Sequence, residues 1–411
     1  MIDIEDIRKD HGVDIAFIIL ISRVYFKTAT NIEVQEFVEK HEINWEQFLV
    51  SSRLHNVRPV VYKTLISIVI PIPSDVVKIM KGELSFLIAN NWNLGIETER
   101  LSLLLSSQNI QALPYKGAAF GKQFYGDLTS REGYDIDFAI KKEDLAKVIS
   151  IMEQDGYLVF NEMYYYLGEH RYIKEYKDIS FNKFSNGGRL YHTEFHWTVE
   201  ERFLSMHQNV SNLFSNAGEK ITLFKKPLAS LGANKHFVAI VINHVFRDVL
   251  KDIKPLLDIG KCIEDHSQVL NWVEIDDYLE NLKLRKGFNS ATLFVEQLLG
   301  VKNKNNINSK VPEQVIKQFK KHALRLHPTG WIYSGSIAFI STQLALRENL
   351  KDKLGFSTAY LRYCFYPTEI ELQIVKLPKK MIFIYPVLRL FRILLKLNKL
   401  FLPRDKLKRN N

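Results

Sequence analysis

The chain has 411 residues, of which 46% are hydrophobic and 25% charged, a balance that excludes a largely disordered protein. At about 150 residues per domain, two or three domains with a sizeable core are expected. The net charge is +10. Residues 376–411 hold eleven bases and one acid, so residues 1–375 are neutral overall, which excludes a body that binds nucleic acid through bulk charge.

The cysteines and the first residues bear on the cellular compartment. Cys262 and Cys364 are far apart and form no C-x-x-C pattern, so neither a disulfide framework nor a cysteine zinc site is expected. The start, MIDIEDIRKDH, has four acids and two bases, whereas a secretory signal begins with positive charge. We therefore expect a cytoplasmic protein with reduced thiols.

Residues 1–107 are predicted to form an N-terminal helical region. Apolar residues recur at helical spacing through VDIAFIILISRVYF and INWEQFLVSSRLHNVRPVVYKTL, which indicates helices with a buried face. Pro71 and Pro73 interrupt the pattern, and Ser74 with Asp75 is a suitable N-cap. A long helix is predicted from about residue 75 to 107.

Residues 108–200 are predicted to be a compact mixed α/β unit. The expected order is strand NIQALPYKG, short helix AAFGKQFYG, strand YDIDFAI and amphipathic helix KKEDLAKVISIMEQDG, then strands YLVF, EMYYYLG, IKEYKDISFNK and RLYHTEFHWTV. Asn186-Gly187-Gly188 is typical of a hairpin turn. A helical domain is expected at residues 201–345. The predicted fold class is α+β, a small mixed sheet embedded in mostly helical N- and C-terminal regions.

An extension with a basic amphipathic helix is predicted at residues 346–411. The bases that line one face of this helix are Arg389, Arg392, Lys396 and Lys399. The longest uncharged apolar run, Met381–Leu388, is far shorter than the ~20 residues of a membrane span. Such a helix can dock on the body with a solvated basic edge, lie on an anionic membrane surface or bind nucleic acid.

Two carboxylates stand at alternate positions of the strand YDIDFAI. Strand alternation places Asp135 and Asp137 on one face, with Tyr134, Ile136 and Phe138 on the other, which is the expected core face. Aspartate is a poor strand former, and two neighbouring carboxylates repel each other. Carboxylates at this spacing can share one or two divalent ions, and Mg²⁺ prefers such oxygen ligands.

The strand RLYHTEFHWTV repeats this alternation with a polar face of His192, Glu194 and His196. If this strand lies beside YDIDFAI, Glu194 becomes a third carboxylate, as two-metal phosphoryl transfer requires. His196 can then support the carboxylates from behind. The three polar residues also permit a zinc triad, although zinc sites usually draw ligands from more than one element.

The segment PYKGAAFGK predicts a phosphate-binding turn. A strand ends at Lys116, Gly117 permits a tight turn and a helix opens at Ala118, where backbone N–H groups can hold a triphosphate. Lys116 can contact phosphate or form a structural salt bridge, and Arg131 can steer phosphate or pair with an acid. Two later residues can line the pocket or pair with each other between helices: His244 and Asp258.

The block LPYKGAAFGKQFYGDLTSREGYDIDFAI resembles a bacterial family of uncharacterised nucleotidyltransferases within the polymerase-β-type superfamily. The likeness continues in EFHWTV, in the helices around His244 and Asp258, and in LPKKMIFIYPVLRLFRILLK. It implies a nucleotidyltransferase core whose metal ligands are Asp135, Asp137 and Glu194. It also implies that Gly117 and Ala118 form the phosphate turn, where most of the superfamily has Gly-Ser.

The expected activity is therefore transfer of a nucleoside monophosphate from an NTP to an acceptor hydroxyl, with two Mg²⁺ ions and release of pyrophosphate. Mn²⁺ is the alternative ion. The acceptor is a small molecule, a peptide or protein, or an RNA. Two other hypotheses stay open: a binding module that keeps the fold without transfer, in a biosynthetic or membrane-associated complex, and a transferase directed at tRNA or another RNA.

Overall fold

The computed structural model describes residues 1–160, 163–206, 213–214, 218–264, 270–303, 311–325, 337–365 and 369–401. Helices predominate, and a five-stranded mixed sheet lies in the middle of the chain. The predicted fold class, a small mixed sheet between helical regions, is confirmed.

The N-terminal region consists of helices, as predicted. They are α1 (Ile4–His11), α2 (Val13–Tyr25), α3 (Asn31–Lys40), α4 (Trp45–Leu54), α5 (Arg58–Ile66) and α6 (Ser74–Ser107). Helix α2 is buried from Ile15 to Ile21, because it is apolar on all sides and forms the centre of this region. Helix α3 begins with a capping box between Thr30 and Glu33. Helix α6 has 34 residues and is therefore about 50 Å long.

The central sheet has the strand order β1-β2-β5-β4-β3. Its strands are β1 (Leu113–Pro114), β2 (Ile136–Ala139), β3 (Leu158–Val159), β4 (Asp178–Ser185) and β5 (Gly188–His196). Strands β2 and β5 are parallel and the other neighbours are antiparallel. Asn186 and Gly187 have φ of 49° and 78°, so the predicted hairpin turn is confirmed, with the positive φ angles that suit tight hairpins.

One face of β2 is buried in a hydrophobic core. Ile136, Phe138 and Ile140 are buried, and the Phe138 ring stacks on Phe195 of β5 with 5.3 Å between ring centroids. Helices α7 (Gly117–Phe120) and α8 (Leu145–Gln154) follow β1 and β2. The burial of this face leaves the opposite face of β2 and β5 available for polar side chains.

The predicted strand EMYYYLG is wrong, because its described residues form α9 (Met163–Leu167). The segment IKEYKDISFNK also begins inside a helix, α10 (Glu169–Glu175), before β4 starts. Aromatic residues favour strands only where a sheet surface accepts them. Here the fully buried Tyr172 of α10 stacks on Tyr176, with 4.3 Å between ring centroids, so tertiary packing overrides the local preference.

Two further expectations are corrected. Tyr134 is exposed and not in the core, because β2 begins only at Ile136 and the Tyr134 hydroxyl donates to Glu132. The segment predicted as helical after residue 200 contains a hairpin of β6 (Glu219–Thr222) and β7 (Pro227–Ser230). This hairpin packs through Ile221 and Leu228 against Ala119, a contact that no local pattern announces.

The remaining elements of the 201–345 segment are mainly helices. They are α11 (Ala233–Val241), which continues as a π-helical turn (Ile242–Arg247), then α12 (Lys254–Ile263), α13 (Trp272–Asn281), α14 (Arg285–Leu299), α15 (Glu313–Ala323) and α16 (Ile337–Leu346). They share one core cluster with the N-terminal helices. Arg23 of α2 donates to the Leu298 carbonyl of α14 at 2.8 Å. The domain boundaries at residues 107, 200 and 345 stay predictions.

The extension contains α17 (Leu350–Cys364), α18 (Glu369–Ile374) and α19 (Tyr385–Phe401). Helix α19 docks on the body, but its basic edge is not solvated where side chains are described. Arg389 is buried over the Tyr363 ring, and Arg392 pairs with the buried Glu371 at 2.6 Å. Lys396 and Lys399 belong to the helix, and their side chains lie outside the described residues. Across the described residues, no helix is long and apolar enough to cross a bilayer.

A buried ion pair joins the loop before β2 to α12. The Arg131 guanidinium donates to both Asp258 oxygens at 2.9 Å, and both residues are buried. Asp258 also accepts from the Tyr125 hydroxyl at 2.9 Å and lies 2.9 Å from His244 Nε2. Burial favours the neutral acid, but Arg131 and His244 hold the pKa of Asp258 well below its ordinary value. This pair fixes the sheet relative to the later helices.

We expect Asp258→Asn to lower the free energy of unfolding by about 3–5 kcal/mol, because the buried Arg131 loses its counter-charge. The folded-state pKa of Asp258 lies below the unfolded value of about 3.9. Its contribution is therefore complete above that pH and is lost as the pH falls toward the folded-state pKa. Urea unfolding at neutral and acid pH measures both effects, and the gap between wild type and variant should narrow on acidification.

The matched control is Asp276→Asn, which removes the partly exposed partner of Arg285. A solvent-exposed pair contributes about 1 kcal/mol or less, so this variant should unfold close to the wild type. Equal losses in the two variants would contradict a special role for the buried pair.

Candidate functional site

A cavity of about 530 Å³ lies between the polar face of the sheet and the chain from the π-helical turn (Ile242–Arg247) to the start of α12. Its lining is dominated by charged side chains of both signs. The acids are Asp135, Asp137, Asp178, Glu194, Glu201, Asp248 and Asp252, and the bases are Lys116, Arg131, Lys177, Arg247, Lys251 and Lys254. Such a concentration of opposite charges in a cleft is typical of a site for a charged ligand.

Asp137 and Glu194 lie directly opposite each other in the parallel pairing of β2 and β5. The condition under which Glu194 becomes a third carboxylate, that the two strands are neighbours, is thus met. Paired residues on the same face of adjacent strands place their side chains side by side. With His196, they bring ligand atoms within 4.8 Å of one another.

Asp137 is 3% exposed and is held from one side only. Its Oδ1 accepts from Lys116 Nζ at 2.9 Å and lies 3.0 Å from His196 Nε2. Among the described residues its Oδ2 is buried with no hydrogen-bond partner. Burial opposes ionisation, but Lys116 and His196 lower the pKa of Asp137. The carboxylate is therefore charged, with a free oxygen of the kind that a cation binds.

Glu194 and His196 complete this cluster. Glu194 Oε2 lies 3.1 Å from His196 Nε2, and its Oε1 lies 3.4 Å from His192 Nε2. Burial opposes ionisation, but these two imidazoles hold the pKa of Glu194 well below its ordinary value. His196 Nδ1 faces Asp178 Oδ2 at 3.3 Å. His196 therefore lies among carboxylates from three strands. His192 Nδ1 instead lies 2.7 Å from Asn182 Oδ1, which does not suit a zinc triad of His192, Glu194 and His196 on one strand.

Asp135 precedes β2 and lines the same cavity. Burial, followed by the charges of Asp137 and Glu194, raises its pKa. A carboxylate in this position is destabilised by its neighbours in the absence of a cation. The structure therefore brings the three predicted carboxylates to one cavity, and it adds His196 to the cluster around Asp137.

The turn at Gly117 is strained and tightly packed. Lys116 and Gly117 have φ of 54° and 36°, and a Cβ on Gly117 would lie 3.3 Å from the Asp135 carbonyl oxygen. A glycine suits this backbone, since other residues rarely adopt it. The Lys116 N–H donates to His236 Nε2 at 2.8 Å, and burial lowers the pKa of His236 to about 3. The neutral His236 thus anchors the turn.

The other predicted residues form ion pairs or hydrogen bonds with acids, and their predicted roles toward phosphate stay predictions. Lys116 forms a salt bridge with Asp137, Arg131 pairs with Asp258, and His244 hydrogen-bonds to Asp258. Lys116, Arg131 and His244 nevertheless line the cavity. Ala118 lines a small recess beside Gly117.

Sequence reasoning missed the cations that face the carboxylates from the helical side. Arg247, Lys251 and Lys254 follow one another at spacings of four and three, but the chain between Arg247 and Lys254 is not helical, so helical spacing does not explain their shared wall. Between them, the buried Val249 and Leu250 have φ of 47° and 50°. Such a conformation is rare for a β-branched residue and is concentrated at functional sites.

Lys177 approaches the cavity from the opposite side. It precedes β4 and pairs with Asp178 at 2.5 Å and with Glu201 at 3.7 Å. Burial works against its charge, but Asp178 and Glu201 raise its pKa. Lys177 is therefore a charged lysine at neutral pH, and no sequence pattern singled it out.

A comparison with the curated proteins found no match. A comparison with protein families matches residues 41–300 to the family described as uncharacterised nucleotidyltransferase. The matched segment covers more than half of the chain and contains the turn, the carboxylates and the cationic segment that surround the cavity. The chain therefore belongs to this nucleotidyltransferase family.

Proposed function

We propose that this protein transfers a nucleoside monophosphate from an NTP to an acceptor hydroxyl and releases pyrophosphate. The observation that carries the proposal is the in-register pairing of Asp137 with Glu194 at the floor of a cavity. Its other wall carries the bases Arg247, Lys251 and Lys254, with Asp248 and Asp252 between them. Carboxylates for divalent cations and bases for phosphates are the two components that phosphoryl transfer requires.

The residues fit a divalent cation. Three features favour a positive charge among these carboxylates: the buried Asp137 Oδ2, which has no hydrogen-bond partner in the described part of the chain, the ionised Glu194 and the raised pKa of Asp135. Asp135, Asp137 and Glu194 would hold two Mg²⁺ ions, or Mn²⁺, with His196 supporting Asp137 and Glu194. When bound, the metal neutralises charge that develops on the phosphate oxygens.

The triphosphate is expected to lie between the Gly117 turn and the wall that carries Arg247, Lys251 and Lys254. The strained backbone of Lys116 and Gly117 brings main-chain groups close to Asp135. Arg247 is charged, because Asp248 raises its pKa, and Lys254 donates to the Glu132 carbonyl at 2.7 Å. These side chains can hold phosphate oxygens and balance the charge of the leaving pyrophosphate.

The acceptor oxygen would attack the α-phosphorus in line with the departing pyrophosphate. One P–O bond to the acceptor forms as the P–O bond to the β-phosphate breaks, and the hydroxyl proton leaves to a base or to water. Glu194, ionised at neutral pH, would accept the hydrogen bond of the hydroxyl and orient it. The proposal includes membership of this protein in the polymerase-β-type nucleotidyltransferase superfamily.

The variant Asp137→Asn tests the metal assignment. Wild-type protein should melt a few degrees higher with saturating NTP and Mg²⁺, because ligand binding stabilises the folded state. In the variant this increment should disappear, and transfer of label from an α-labelled NTP should fall by at least about a hundredfold. The increment is the readout, since loss of the Lys116–Asp137 pair can itself change the melting temperature.

The matched control is Asp277→Asn, an exposed carboxylate on α13, which should keep the full increment. A metal-dependent increment that persists in Asp137→Asn would contradict the metal assignment. Failure of every NTP to stabilise the wild type would contradict the nucleotide site and favour a binding module without transfer.

The variant Ala118→Ser tests whether the phosphates approach the turn at Gly117. Ala118 is partly exposed beside Gly117, so the added hydroxyl can donate to a phosphate oxygen. A hydrogen bond to a charged group contributes about 1.5–3 kcal/mol, and the Kd for Mg²⁺–NTP should therefore fall about tenfold or more in isothermal titration.

Ala119→Ser is the adjacent control, because Ala119 is buried against the β6–β7 hairpin. It should lower stability and leave the Kd unchanged. An unchanged Kd in Ala118→Ser would show that the phosphates do not approach this turn.

A further inference from the structure

The last helix exposes its apolar side. Val387, Phe391 and Leu394 of α19 are 64%, 63% and 57% exposed. They are spaced four and three residues apart, so they lie along one face of the helix. Phe383, one turn earlier, is 70% exposed. We refer to Val387, Phe391 and Leu394 as the outer face of α19.

The opposite side of α19 is the one that contacts the body, and it carries the charge. Tyr385 and Arg389 are buried, and the Arg389 guanidinium lies 4.3 Å from the centre of the Tyr363 ring. Arg392 pairs with the buried Glu371 of α18. A docked amphipathic helix ordinarily buries its apolar side. Because the ring contact of Arg389 and the ion pair of Arg392 hold these two bases inward, the outer face remains on the surface, where apolar patches mark interaction sites.

The positive charge around α19 indicates which kind of partner the outer face can bind. Residues 346–411 contain fifteen bases and five acids, so they account for the whole net charge of +10. Lys376 and Lys380, which precede α19, are exposed. Of these fifteen bases and five acids, six bases and one acid belong to residues 396–411. A second copy of this surface would bring like charges together, and affinity for nucleic acid comes mainly from contacts between bases and phosphates and not from an apolar helix face.

We propose that the outer face of α19 rests on an anionic phospholipid surface. Apolar side chains would enter the boundary between headgroups and acyl chains, and the lysines around them would contact lipid phosphates, as in interfacial amphipathic helices. This inference stands on α19 and its charge, and it does not depend on the proposed nucleotide transfer.

The test is co-sedimentation with vesicles. Full-length protein should sediment with phosphatidylcholine–phosphatidylglycerol vesicles and much less with phosphatidylcholine alone, and salt should weaken the binding. The variant Val387→Ser/Phe391→Ser/Leu394→Ser should reduce the partition coefficient by about tenfold or more. Thermal melting without ligand checks that the variant is folded, since the three side chains are exposed.

The matched control is Leu350→Ser/Leu354→Ser/Leu361→Ser. These α17 leucines are 71%, 60% and 61% exposed and also lie on one helix face, but fewer bases accompany them. This control should bind vesicles as the wild type does. Wild-type protein that ignores both vesicle types, or an α19 variant that binds normally, would overturn the proposal. A wild-type dimer that the α19 variant converts to monomer in sedimentation velocity, without vesicle binding, would identify a second copy as the occupant.

Discussion

The parallel pairing of β2 with β5 is the constraint on which the site depends. It sets Asp137 opposite Glu194 on a face where adjacent strands are only about 4.8 Å apart. Two carboxylates so close in a buried position repel each other strongly unless positive charge or hydrogen-bond donors offset them. Lys116 and His196 supply those donors on one side of Asp137, and the other side stays open to a ligand.

The helical regions provide what the sheet lacks. Helix α12 carries Asp258, which holds Arg131 beside the cavity, and the segment before α12 carries Arg247 and Lys251. Two consecutive residues with positive φ, Val249 and Leu250, give that segment its path, at a cost in conformational energy that surrounding packing must offset. The position of Arg247, Lys251 and Lys254 at the cavity therefore depends on the tertiary fold. The Arg131–Asp258 pair fixes this side of the cavity relative to the sheet.

Contacts with distant residues also decide which side of α19 faces the body. The helix is basic on one side and apolar on the other, so docking could bury either side. Glu371 and Tyr363 present an anion and an aromatic face to it, and these contacts hold Arg389 and Arg392 inward. For Arg389 and Arg392 the solvated basic edge, one of the three alternatives for this helix, is wrong for this reason, and an apolar face reaches the surface.

Much of the fold and half of the site could be predicted because their signals are local. Alternation along YDIDFAI and RLYHTEFHWTV placed Asp135, Asp137 and Glu194 on polar faces, and glycine spacing located the Gly117 turn. The strand EMYYYLG was predicted wrongly, since aromatic side chains suit a strand or a buried helix equally well until their neighbours are known. The resemblance to an uncharacterised nucleotidyltransferase family is confirmed over residues 41–300. It implied that Glu194 joins Asp135 and Asp137 in one site, which alternation alone could not show.

The sequence by itself determined which side chains share a face of a strand or helix, because dihedral geometry repeats every two or 3.6 residues. Only the tertiary structure decided what each face meets. It brought Lys177 and the Arg247–Lys254 segment to the carboxylates and made His236 the anchor of the Gly117 turn. It also turned Arg389 and Arg392 of α19 inward. These outcomes depend on contacts between residues far apart in the chain, which local periodicity does not encode.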